Sequence, residues 1–218
     1  MTYLSPYVLV EEFHLTYGQP LRVTPHLDVP QRELRVALIR EELSELAEAL
    51  EQNDFIEVVD ALADILYVVY GAGITHGINL DYILGCPTHH SPADIIKQMV
   101  TLDLGESLEK TPHFNKEAIA EGIAKLESEL EKYIGAGLSG NIVAFEAALS
   151  QLVVGTYIIA IKCSVDIDDV LAEVQRSNMS KLGEDGKPIY REDGKILKGP
   201  NFFTPNIAEV LVGQGWTA

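Results

Sequence analysis

Two consecutive amphipathic stretches of this chain carry carboxylates inside the stripes that should be buried, and that conflict restricts the fold more than any other feature. The first stretch, IREELSELAEAL, holds Glu41, Glu42 and Glu45; the second, VVDALADILYVVYG, holds Asp60 and Asp64. Side chains three or four positions apart on a helix share a face, so Glu42 and Glu45 point one way, and so do Asp60 and Asp64. Their neighbours are apolar: Leu38, Ile39, Leu46 and Leu50 on one stretch, Leu62, Ile65 and Leu66 on the other. Four carboxylates in or beside a core repel one another and lose hydration, at a cost of roughly several kcal/mol per ion if nothing compensates. A hard divalent cation, which takes oxygen ligands, is the usual compensation. The expectation is a Mg²⁺ site between two packed helices, with Mn²⁺ as a substitute.

Helical periodicity continues to about residue 178 and predicts helices near 5–17, 31–52, 54–76, 92–104, 115–134, 141–163 and 166–178. The breaks fall at Gly18 and Pro20, Asn53-Asp54, Gly73 through Gly77, Gly85 to Pro92, Thr111-Pro112, and Gly135 to Gly140. From Met179 to Pro205 the chain turns to Gly, Pro and charged residues, with Glu-Asp-Gly-Lys at 184–187 and again at 192–195. Asp-Gly favours tight turns because Gly accepts positive φ, so this segment reads as an ordered loop or small hairpin before a short helix near 205–213.

The helical part repeats itself. SPYVLVEEFHLTYG (5–18) resembles SPADIIKQMVTLDLG (91–105), and residues 60–84 align without gaps on 147–171. In that alignment Ala61, Leu62, Tyr70, Ile74, Asp81 and Leu84 meet Ala148, Leu149, Tyr157, Ile161, Asp168 and Leu171. A period near 87 residues exceeds that of solenoids and points to a duplicated helical unit. Asp60 and Asp64 become Ala147 and Gln151, so the acidic pair belongs to the first copy alone. The chain then divides into 1–85 with the metal site, 86–175 as a degenerate copy and 176–218 as a tail, all in one compact, all-α, internally duplicated bundle.

The formal charge of −17 excludes ordinary nucleic-acid binding, which rests on neutralising phosphates. Most of the 33 acidic residues make a solvated surface. Six of the 16 Lys and Arg residues nevertheless fall between Arg176 and Lys198, a local anion site at the end of an acidic body. The hydropathy pattern predicts no membrane span and no signal peptide. Cys86 and Cys163 make no disulfide framework, which favours a reducing cytoplasm.

Glu41-Glu42-x-x-Glu45 followed by Asp64 in ALADILYVVYG resembles the all-α nucleoside triphosphate pyrophosphatases, the superfamily of MazG-like proteins, dimeric dUTPases and phosphoribosyl-ATP pyrophosphohydrolases. EEFHLTYGQP (11–20) and EVQRSNMSKLGEDGKP (173–188) are similar to segments of a MazG-related branch. The resemblance covers roughly 5–84 and 165–213. It implies cleavage of a nucleoside triphosphate to monophosphate and pyrophosphate, clearing non-standard or surplus nucleotides, and it admits a homodimer. Within it Glu42, Glu45, Asp60 and Asp64 would hold Mg²⁺, while Glu41 or a free oxygen of Glu42 would orient the attacking water. One departure stands out: the family's Glu-x-x-Asp would place a Glu at 61, where this chain has Ala61. Asp60 or Glu57 would have to stand in, and Asp60 is nearer the level of Asp64.

Asn178, Lys181, Lys187, Lys195 and Lys198 are the tail residues expected to close over the triphosphate. His14 and Tyr17, with Tyr67 and Tyr70, are candidates for the wall of a base pocket or, alternatively, plain core. His89-His90 has no Cys or carboxylate at zinc spacing and is set aside. A di-iron bundle needs Glu-x-x-His twice, and only Glu11 to His14 fits. The competing reading is a catalytically degenerate helical interaction protein, which Mg²⁺ would not stabilise.

Overall fold

The computed structural model describes residues 4–27, 29–86, 91–104, 111–192 and 194–217, with Val29 and 102–104 as backbone alone. His89 and His90 lie outside the described residues. The protein is all-α: helices α1 (Pro6–Thr16), α2 (Val29–Gln52), α3 (Phe55–His76), α4 (Leu80–Ile83), α5 (Pro92–Leu104), α6 (Lys116–Ser139), α7 (Ile142–Lys162), α8 (Ile167–Asn178) and α9 (Ile207–Gly213). Among the described residues the only β-type pairing is an isolated bridge between Tyr190 and Ile196. The sequence reading missed α4, which at one turn is too short for periodicity to show.

Two long helical hairpins, α2–α3 and α6–α7, form the body, and they contact each other through α2–α6 and α3–α7. Their turns share one design. Asn53 and Gly140 adopt positive φ (58° and 68°), and the next residue caps the following helix: Asp54 Oδ1 accepts from the N–H of Ile56 and Glu57, Asn141 Oδ1 from that of Ala144. The same pattern closes the hairpins at Gly77 and Ser164 (φ 75° and 57°), followed by the N-caps Asn79 and Asp166. All four pairs are 87 residues apart.

A buried clamp also occurs twice. Tyr70 donates to Asp81 Oδ1 at 2.8 Å, and Ser5, the N-cap of α1, is hydrogen-bonded to the same carboxyl. Tyr157 donates to Asp168 Oδ1 at 2.7 Å, and Ser91, just before α5, bonds the other oxygen. The repeated sequence is thus repeated geometry. Each Ser-Pro start is fastened to the helix that follows its own hairpin.

The halves interleave. α3 packs on α8 as well as α1, and α7 on α4 as well as α5. The shared core contains Ile39, Leu46, Leu62, Ile65, Leu66, Tyr133, Phe145, Leu149 and Tyr157, each nearly or fully buried. Each such side chain contributes roughly 1.5–3 kcal/mol. By length and composition α7 could cross a membrane, with a mean hydropathy of 1.8, which the sequence reading did not anticipate. Half of that stretch is buried, and α7 packs on α3, α5 and α6.

One predicted break is corrected. Gly135 to Gly140 was expected to end the helix near 134, yet α6 runs to Ser139 and stops at Gly140. Gly137 serves close approach instead: a Cβ there would lie 2.4 Å from Arg32 Cδ, and Arg32 Nη1 donates to the Gly137 carbonyl at 2.7 Å. The glycine lets α2 and α6 meet.

After α8 the chain makes turns at Gly186 and Gly194, both at positive φ. The pairs Arg191 N–H to Lys195 O and Leu197 N–H to Ile189 O, each 2.8 Å, shape an irregular hairpin. Tyr190 fastens it to α1 by donating to the Tyr17 carbonyl, and the Ser177 hydroxyl donates to Phe203 O at 2.7 Å.

Candidate active site

Antiparallel packing of α2 on α3 brings the two acidic clusters face to face, and the tail hairpin covers them. A cavity of about 260 Å³ is lined by Glu41, Glu42, Glu45 and Asp64 together with Asn178, Lys181, Lys195 and Lys198. A second cavity, lined by Glu45, Glu57, Asp60 and Asp64, lies on the other side of the same wall; Asn178, Lys181 and Lys198 line it too. Glu41 and Lys195, 154 positions apart in sequence, thus share one site.

The carboxylates differ in exposure. Glu42 is buried, Asp60 and Asp64 are half-buried, and Glu41, Glu45 and Glu57 are exposed. Burial, then Asp64, Glu45 and Glu41 beside it, pushes the Glu42 carboxyl up to about 9. Asp60 rises to about 7 through burial and the charges of Asp64, Glu57 and Glu45. Asp64 rises to about 6, again chiefly by burial, with Lys181 pulling it back down. Burial in turn lowers Lys181, against the attraction of Asp64. These are like charges confined together at low dielectric, where each favours the proton.

Whether such a group fits a divalent cation is tested by its donors. All are carboxylate oxygens, the class that hard cations take. Asp60 Oδ1 is enclosed and has no hydrogen-bond partner among the described residues. No three His, Cys, Asp or Glu side chains among the described residues close into a ligand set as they stand. The donor chemistry fits a hard cation, and the side chains would have to draw together to hold one.

Two comparisons with known proteins bear on the site. The sequence model of phosphoribosyl-ATP pyrophosphohydrolases matches residues 10–85. An uncharacterized protein of Acanthamoeba polyphaga mimivirus is 30% identical over 249 residues, covering 94% of this chain and 95% of that one. Residues 10–85 are a phosphoribosyl-ATP pyrophosphohydrolase-type domain, part of the MazG-like all-α nucleoside triphosphate pyrophosphatase superfamily. No solved structure matches the chain. The family match ends at residue 85, just after the first hairpin and α4.

Against that family pattern, Ala61 is 5% exposed and belongs to the core. The acidic positions nearest it, Asp60 and Glu57, both line the second cavity beside Asp64. Glu41 is occupied: Lys195 Nζ donates to both its oxygens, at 2.7 and 2.8 Å.

Other candidates need correction. Lys187 is exposed on the first tail turn, where its N–H meets Asp185, and lines neither cavity. Tyr17 is fully buried, stacks on Phe13 at 4.4 Å and donates to the Asn178 carbonyl; it is core. Tyr70 is likewise core through Asp81. Their spacing matches that of wall residues, but both point to the interior side of their helices. His14 and Tyr67 do line the first cavity, with Tyr67 donating to Gln175 Oε1 at 2.6 Å.

Sequence reasoning overlooked the full reach of the repeat. Carried back by the same 87 residues, Glu42 meets Glu129 and Glu45 meets Lys132. These two form an ion pair of 2.6 Å and line a groove with Ala147, Ala148 and Gln151. The second copy therefore keeps the concavity and replaces four carboxylates with an internally neutral pair, an alanine and an amide. Sequence alone could have shown this, had the alignment been extended across the loop before α7.

Proposed function

We propose that the protein is a Mg²⁺-dependent nucleoside triphosphate pyrophosphohydrolase, converting a triphosphate and water to monophosphate and pyrophosphate. The observation that carries the reading is the meeting of α2 and α3 carboxylates with three tail lysines around one cavity. Glu42, Glu45, Asp60 and Asp64 are the residues that would hold Mg²⁺ or Mn²⁺. The cation would polarise phosphate oxygens and lower the pKa of bound water. Glu42 is the carboxylate left to orient that water, since Lys195 engages both oxygens of Glu41. Lys181, Lys195 and Lys198, with the buried Asn178, neutralise and position phosphate oxygens.

On this reading residues 1–85 supply the catalytic carboxylates, 86–175 a scaffold copy, and 176–218 the cover over the substrate. The free thiols Cys86 and Cys163 suit a reducing cytoplasm, where the activity would clear surplus or non-standard nucleotides. The competing reading is a degenerate scaffold of the same fold, favoured by Ala61 in the core and by the open carboxylates. Pyrophosphate release from a panel of ribo- and deoxynucleoside triphosphates, with Mg²⁺ and with EDTA, separates the two. Metal-dependent release of pyrophosphate rather than single phosphate supports the hydrolase; silence across the panel leaves the scaffold.

A further inference from the structure

Tyr67 stands at the wall of the first cavity, one turn after Asp64 on α3, and its hydroxyl starts a chain of hydrogen bonds that runs outward to the surface. The phenol donates to Gln175 Oε1 at 2.6 Å, and Gln175 Nε2 donates to Glu12 Oε2 at 3.1 Å. Glu12 is exposed on α1, whereas Gln175 on α8 and Tyr67 are 6% and 7% exposed. Gln175 itself lines neither cavity.

The direction of the chain is dictated from its outer end. A carboxylate accepts, so Glu12 takes an N–H of the Gln175 amide and leaves Oε1 facing Tyr67. That oxygen accepts too, which commits the single hydroxyl proton of Tyr67 to it. The Asn178 side chain bonds the same hydroxyl. With its proton spent, Tyr67 can only accept there, so Asn178 turns its amide nitrogen to Tyr67. Asn178 ends α8 three residues after Gln175 and lines both cavities, and the Tyr17 hydroxyl donates to its carbonyl at 2.9 Å. Its backbone and its amide are thus each held by a tyrosine.

The internal repeat separates the two kinds of tyrosine on α3. Tyr70, which clamps Asp81, meets Tyr157, which clamps Asp168; Tyr67 meets Val154. The copy without the acidic pair has the tyrosine that fastens the bundle and lacks the one that starts this chain. Tyr67 goes with the acidic site.

We propose that Gln175, backed by Glu12, is a positioning residue of the acidic site, acting through Tyr67 to hold the Asn178 amide ready for the substrate's phosphates. This rests on the hydrolase reading above. Asn178 keeps a second N–H for a phosphate oxygen beside Lys181, and fixing it in advance lowers the ordering cost of binding. Without Gln175 the Tyr67 proton would turn to Asn178 Oδ1 and the amide would flip, moving that N–H away. A contact of this kind serves ground state and transition state alike, so its loss falls on KM.

The test uses full chains of wild type, Gln175→Met, Tyr67→Phe, Gln175→Glu and the swap Glu12→Gln with Gln175→Glu. Pyrophosphate release from dUTP, dCTP, dGTP and dATP with Mg²⁺ gives KM and kcat, calorimetry with their α,β-imido analogues gives affinity, and thermal melts report the fold. Gln175→Met should raise KM and weaken analogue binding by roughly 5- to 20-fold with kcat retained. Tyr67→Phe should do the same to KM, and combining the two should be no worse than either, because both break one chain. Gln175→Glu sets two carboxylates against each other and should also raise KM. The swap should restore it, since one partner again donates across the gap while Tyr67 keeps an acceptor. Wild-type KM and affinity in Gln175→Met overturn the proposal, as does a fall in kcat and melting temperature with KM unmoved, or a swap no better than Gln175→Glu alone. Should wild type bind the analogues but hydrolyse nothing, with affinity falling in Gln175→Met, the hydrolase reading falls and the positioning role stands. Hydrolysis with KM unmoved by Gln175→Met has the reverse meaning, and neither binding nor hydrolysis sinks both.

Discussion

Lys195 donates to both carboxylate oxygens of Glu41 and so ties the tail hairpin to α2 at the rim of the acidic cavity. The pair is 30% and 43% exposed on its two side chains, a setting in which ion pairs contribute only about 0–1 kcal/mol to stability. Glu41→Gln should therefore barely move the melting temperature. Its effect should fall on KM, which rises as the hairpin loosens, while kcat stays close to wild type. Steady-state kinetics on the preferred triphosphate checks this, and a lost kcat with unchanged KM would instead give Glu41 a direct part in the chemistry.

Glu45→Gln or Asp64→Asn should lower turnover by at least roughly 100-fold with the helical fold intact. Asp64→Asn should also raise the melting temperature of the metal-free protein, because it removes one of several like charges held at low dielectric. Circular dichroism melts in EDTA beside pyrophosphate release would show both effects. Wild-type rates in either variant would remove these residues from the site.

Glu42, Asp60 and Asp64 hold their protons more tightly in the folded chain (about 9, 7 and 6) than at their ordinary values of 4.5, 3.8 and 3.8. Folding thus takes up protons, and the stability of the metal-free protein should fall as pH rises from about 4 towards about 9. Mg²⁺ should flatten that decline by supplying the positive charge that protons supply at low pH. Denaturant midpoints across this range, in EDTA and in Mg²⁺, read the slope directly. A stability that rises with pH in EDTA would contradict the assignment.

Tyr70→Phe takes a donor from the buried Asp81 and Tyr157→Phe one from the half-buried Asp168, each at a cost of about 1–3 kcal/mol. Because the two clamps match, the two losses of stability should be similar. Turnover should survive both, since neither tyrosine lines the acidic cavity. Gln151→Ala, in the groove of the second copy, should leave turnover unchanged; a large loss would give that groove a function.

The long helices, their caps and the acidic pairs were legible because periodicity and capping residues are local signals. Charge clustering alone gave only a local anion site in the tail; placing Lys181, Lys195 and Lys198 beside the acids needed the family resemblance as well. Lys187 and Tyr17 were misplaced because composition does not say which side of a turn or helix faces inward. Arg35, buried on α2 against Gly71 and lining the first cavity, passed unnoticed because an arginine on an amphipathic helix reads as solvated. Gly137 was taken for a breaker because a glycine that admits a neighbouring helix looks no different, in sequence, from one that ends its own.

The interleaving of the halves has a consequence for how the chain can be shortened. α3, which carries Asp60 and Asp64, is covered in part by α8, and α7 in part by α4. Cutting the chain between 85 and 91 would strip an apolar face from the core helix of each piece. Neither piece should then fold alone: the half that lacks the acidic cavity supplies surface on which the core helix of the other half rests.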